Sequence, residues 1–145
     1  MPSIPRPPER IGGELIELRP IAEWDIPEVL IAHQDDRGLC VWLGLQKPPT
    51  AAQLGSEVEN AEARRLAGTT IKLTIVEPGG NDCLGRVEVD DLDWGRGSAS
   101  VRVWVAPQLR GRGYEQRAAE LAGEWLRVAV GLRELNFSLR GAPTS

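Results

Sequence analysis

The sequence predicts a mixed α/β (α+β) domain, a mostly antiparallel central sheet flanked by helices. Three observations carry that prediction. Residues 69–105 hold three runs that alternate apolar and polar side chains with period two, separated by glycine-rich turns, which reads as an antiparallel meander. Helical periodicity lies on both sides of those runs, at Ala51, Leu54, Val58, Ala61 and Arg65 and again at Ala118, Leu121, Ala122, Trp125 and Ala129. A last alternation at Leu135, Phe137 and Leu139 follows the second helix, and a strand–helix–strand unit closes as a right-handed parallel crossover.

Size and composition narrow the classes. At 145 residues, 41% hydrophobic and 26% charged, the chain is an ordinary soluble composition with enough apolar material for one core. We expect a single domain over 14–145, preceded by a flexible tail over 1–13, where four prolines in the first eight residues favour an extended chain. A net charge of −4 argues against nucleic acid as a partner, because that binding is driven by neutralising phosphates. The amino terminus has no apolar run for a signal or membrane anchor. Cys40, Cys83 and the single His33 show no metal or disulfide spacing, so no metal site and a reduced cytoplasmic setting are expected.

Taken in order, Glu14 to Ile21 reads as a first strand. Asp25-Ile26-Pro27-Glu28 then starts a helix, with Asp25 as cap and Glu28 completing a capping box. Ile26, Val29, Leu30 and His33 share one face of it, and His33 reads as a helix-end residue. Residues 34–50 form an irregular link anchored by Trp42, and Gly68 stops the helix that follows. Thr69–Val76, Leu84–Val89 and Val101–Val105 are the meander strands. Trp104 falls on the face opposite the valines. Gly131 ends the last helix.

The stretch Val101 to Glu115 carries the functional signal. A strand halted by Pro107 runs into Arg110-Gly111-Arg112-Gly113 and then a helix. Glycines let the backbone turn tightly and approach a ligand, the helix start offers unpaired N–H groups, and two guanidinium groups match phosphate geometry. The same residues suit a purely structural turn, and the spacing is neither a Lys-Ser/Thr phosphate loop nor a three-glycine dinucleotide fingerprint.

Those residues resemble the acetyl-CoA signature R/Q-x-x-G-x-G/A of the GNAT superfamily of N-acetyltransferases, in its ribosomal-protein-acetyltransferase-like branch. Arg110 fills the R/Q position, Gly113 the central glycine, and Glu115 stands where the family has a small residue. The resemblance covers residues 14–140. It implies a GNAT-like sheet whose parallel strand pair splays at the cofactor cleft, with acetyl-CoA as co-substrate and a primary amine of a small molecule or peptide as acceptor. Cofactor contacts are implied for Trp104, Val105, Arg110, Gly111, Arg112, Gly113, Tyr114 and Glu115. The family's usual final helix and strand pair, with the tyrosine that reprotonates the thiolate, has no counterpart to which a residue maps.

Acyl transfer needs a polarised thioester, a neutral amine and a proton for the leaving thiolate. Glu88 and Asp90, in an acidic group completed by Asp91 and Asp93, are the candidate bases, and the same acids would draw a cationic acceptor. Two other readings stay open, a non-catalytic binding or regulatory module and a different enzyme reusing the cleft. The edge of the Leu135–Leu139 strand invites a homodimer or a partner chain that completes the sheet.

Overall fold

The computed structural model describes residues 2–141, so the last four residues of the expected domain lie outside the described residues. Strands β1 (Ile11–Gly12), β2 (Glu17–Pro20), β3 (Ile71–Val76), β4 (Gly85–Asp93), β5 (Ser98–Val105) and β6 (Glu134–Leu139) form one sheet in sequence order. Every neighbouring pair is antiparallel except β5 and β6, which run parallel across the crossover. Helices α1 (Ile26–Asp35), α2 (Leu39–Trp42), α3 (Ala51–Ala67) and α4 (Tyr114–Trp125) complete the domain. This is the mixed, mostly antiparallel architecture read from the alternation.

The two faces of the sheet have separate cores. Leu73, Ile75, Val87, Val89, Val101 and Val103 point to one face and pack with Ala118, Leu121, Ala122 and Leu126. Each of these larger aliphatic side chains, once fully buried, contributes about 1.5–3 kcal/mol. The opposite face carries Lys72, Arg86, Glu88, Arg102 and Trp104, and α1, α2 and α3 cover part of it through Val29, Ala32, Leu39 and Leu54. Strand alternation thus sends the aliphatic set to α4 and the charged set with Trp104 to the other side. The ends of α3 follow from its sequence. Thr50 and Gln53 form a reciprocal capping box, and Gly68 closes the helix in the left-handed region at φ 73°.

Four local expectations change. The proline-rich start is extended but not loosely packed: Ile4 is fully buried, its N–H donates to the Arg65 carbonyl at 2.9 Å, and Arg65 Nη1 returns a bond to the Ile4 carbonyl. One apolar side chain among the prolines joins the aliphatic core while its backbone is held by α3. Asp25 forms no capping box with Glu28, and its side chain makes no cap bond to α1. That carboxylate turns inward and accepts from Arg19, from the Thr74 hydroxyl and from the Ala22 N–H. The irregular link contains the short helix α2, and Trp42 packs against the second core as expected. The stripe of α4 is buried through Trp125, after which a π-turn over Leu126–Val130 adds a residue to the turn. Leu126 is therefore buried and Ala129 exposed.

Candidate functional site

The glycine loop has the backbone that an anion cradle needs. Gly111 and Gly113 sit at φ 83° and 82°, where side chains are disfavoured, and a Cβ on Gly111 would meet nothing within 4 Å. Glycine is required there for backbone conformation while the space above it stays open. Gly113 caps α4, so the amides of its first turn are presented at the loop. Arg112 is exposed and pairs with no carboxylate among the described residues. These features fit a diphosphate.

The other loop residues are committed within the fold. Tyr114 packs against the aliphatic core. Glu115 is 2% exposed, so its side chain offers no contact surface at the loop. Burial raises its carboxyl above the usual range, against the opposing pull of its own backbone N–H and of Arg110. Arg110 donates to Asp36 Oδ2, and Arg140 binds the same carboxylate through Nε at 3.1 Å and Nη2 at 2.8 Å. Asp36 therefore ties together the end of α1, the glycine loop and the chain just past β6.

That tie lies at the open end of the parallel pair. The β5–β6 register runs to Val103↔Leu139, and the Arg140 N–H still donates to the Val103 carbonyl at 2.8 Å. Trp104 and Val105 continue beyond the last β6 partner, bound only to β4 through Arg86 and Gly85. β6 is paired with β5 along its whole length, and only these two β5 residues extend past it. Gly85 makes the neighbouring approach possible, since a Cβ there would stand 2.1 Å from the Trp104 carbonyl oxygen.

The two arginines hold the Asp36 carboxyl well below its ordinary value, to about 2, with the Arg140 hydrogen bonds as the largest cause. A carboxyl depressed on folding stabilises the protein above its unfolded value and loses that contribution as pH falls through the folded one. Urea titrations should therefore show up to about 2 kcal/mol lost between pH 4 and pH 2, and Asp36→Asn should flatten that part of the profile. An unchanged slope in the variant would contradict the pairing.

On the face that carries Trp104, a cavity of about 640 Å³ opens between the sheet, α1, α3 and the 43–50 link. Trp104, Glu88, Asp90 and His33 all line it. Glu88 Oε2 accepts from the Trp104 indole N–H at 3.3 Å, and its other oxygen lies 3.7 Å from Lys72 Nζ. Asp90 pairs with Arg102 at 2.5 Å, and Arg102 also donates to the Leu43 carbonyl at 2.8 Å. Glu57 takes both Lys72 and Arg86, at 2.5 and 3.2 Å. Each carboxylate lining the cavity thus has a basic partner, which corrects the expectation of an acidic surface drawing a cation.

His33 is the residue that sequence reasoning passed over. Its ring meets the Trp104 indole edge to face at 6.3 Å, it is 5% exposed, and Nδ1 has no partner among the described residues. Burial holds the imidazole below its ordinary value, outweighing the nearby charges of Glu88 and Asp36, so it is neutral at pH 7. The available signal was its place on the apolar face of α1, which points at the sheet. Cys83 offers no thiolate, since burial pushes its thiol up to about 12.

The acetyltransferase (GNAT) domain model matches residues 16–140, and the chain belongs to that family, whose members transfer an acyl group from acetyl-CoA to an amine. Solved structures share the fold. A protein titled a probable acetyltransferase is 17% identical, with 88% of this chain and 72% of that chain covered and a TM-score of 0.74. An acetyltransferase of Salmonella typhimurium that modifies the N-terminal serine of ribosomal protein L7/L12 is 16% identical, with 82% and 69% covered and a TM-score of 0.65. A spermidine N-acetyltransferase chimera from Vibrio cholerae and hSSAT is 14% identical, with 86% and 70% covered and a TM-score of 0.69. No curated protein matches the sequence. No helix among the described residues is long and apolar enough to cross a membrane.

Proposed function

We propose that this protein is an N-acetyltransferase that takes an acetyl group from acetyl-CoA and delivers it to a primary amine held in the cavity beside Trp104. The observation that carries this reading is that Trp104 belongs to both places. Its backbone continues past the end of the β5–β6 pairing, and its side chain lines the cavity with Glu88 and His33.

Acetyl-CoA, when bound, supplies an activated acetyl group whose C–S bond breaks as the N–C bond to the acceptor forms, the thiolate taking up a proton. The amides of Gly111 to Gly113 and the Arg112 guanidinium suit the diphosphate, and the backbone of Trp104 and Val105 suits the arm that leads to the thioester. Neutral His33 receives the proton the amine gives up. Glu88, held in place by the indole N–H, stabilises the imidazolium that results. Asp90 is tied to Arg102 and the link, so it shapes the cavity and takes no part in proton transfer.

Amine-dependent release of the CoA thiol by the purified protein tests this assignment. Release that saturates with amine, and that falls about 10²-fold in kcat in His33→Gln with Glu88→Gln in the same direction, is the expected result. Thioester loss that ignores added amine would contradict it.

A further inference from the structure

We infer that the amine acceptor also carries a carboxylate, and that Lys47 and Arg64 at the cavity rim recognise it. This rests on the acyl-transfer reading of the same cavity and names its substrate class. The cavity lining holds five basic side chains against three carboxylates. Deep in the cavity the charges balance, because Glu57 and Glu88 face Lys72 and Arg86 while Asp90 faces Arg102.

The surplus sits at the mouth. Lys47 comes from the link before α3 and Arg64 from the far part of α3; both are exposed, and neither pairs with a carboxylate among the described residues. A polyamine would bring like charge to that rim and find every acid inside already paired, which is unfavourable for entry. A zwitterionic amine meets complementary groups at both ends. Its oxyanion meets the surplus positive charge at the entrance, and its amine lies at the floor, where Trp104 is 1% and Glu88 8% exposed. A volume of about 640 Å³ suits a small molecule of this kind.

The test compares matched probes, ω-amino acids against their carboxamides, with phosphoethanolamine and spermidine alongside, in both acetyl transfer and calorimetric binding without cofactor. The expected result is a KM and a Kd about tenfold lower for each carboxylate than for its amide. The double variant Lys47→Glu/Arg64→Glu, altered only at exposed positions, should erase that ratio in both KM and Kd. Equal or better use of the amides or of spermidine, or a ratio that survives the double variant, would overturn the inference. Preference for phosphoethanolamine over the matched carboxylate would overturn the carboxylate assignment in favour of a phosphate. If no amine is acetylated, the acyl-transfer reading fails, and the calorimetric ratio still decides the inference: equal binding of acid and amide overturns it.

Discussion

Replacing Trp104 by alanine should lower the unfolding free energy by about 3–5 kcal/mol, the range for removing a large buried aromatic side chain. The indole is 1% exposed and fills the second core with Val29, Ala32, Leu39, Leu54 and Cys83. Its removal leaves a cavity under α1 and takes the N–H donor from Glu88 Oε2. Trp104→Phe keeps most of the apolar volume and loses the donor and three ring atoms, at about 1–2 kcal/mol, so the difference between the two variants reports the packing of the remaining ring. Urea denaturation of both variants measures the difference. Equal losses in the two would mean that packing at this position contributes little, contrary to the geometry.

Asp25→Ala should be similarly damaging, at about 3–5 kcal/mol, because it strands a buried cation. Asp25 is fully buried, and its oxygens take Arg19 Nη2 at 2.6 Å, Arg19 Nη1 at 3.1 Å, the Thr74 hydroxyl at 2.6 Å and the Ala22 N–H at 3.0 Å. Those bonds join β2, the start of α1 and β3. Without the carboxylate, Arg19 keeps the Pro20 and Asn81 carbonyls and the face of the Trp24 ring. A double variant with Arg19→Met should recover part of the loss, since the unpaired charge goes with it. Strictly additive losses in a denaturation cycle would show that the two side chains act independently.

The parts of the fold that were legible in the sequence are those written locally. Period-two alternation from Ile71 to Val105 fixed both the antiparallel strands and the side chains each face would carry, including the separation of Trp104 from the valines. Periodicity and Gly68 bounded α3. The glycines at 111 and 113 announced a turn with positive φ, and the family resemblance rested on them. What stayed hidden depends on contacts between distant residues. Arg110 and Arg140 meet Asp36 across 74 and 104 residues, and nothing in their neighbourhoods marks that partnership. The charge balance of the cavity was likewise invisible, because the acids at Glu88 and Asp90 stand out in the sequence while Lys72 and Arg102, their partners, lie on neighbouring strands. His33 read as a helix end because its counterpart, Trp104, is far along the chain. Ile4 shows the same effect at the start, where composition described the backbone correctly and missed the single side chain that anchors it.

Acyl transfer in this cavity requires that the loop from Gly111 to Gly113, with Arg112, and the strand end beside it hold acetyl-CoA. Calorimetric titration of the intact protein with acetyl-CoA tests it most directly, alongside a folded Arg110→Ala/Gly113→Asp variant. Saturable binding of one equivalent is expected, and the double variant should lose it, since it breaks the Arg110–Asp36 tie that holds the loop and puts a carboxylate at the helix start. No binding by the intact protein, or equal binding by the variant, would contradict it.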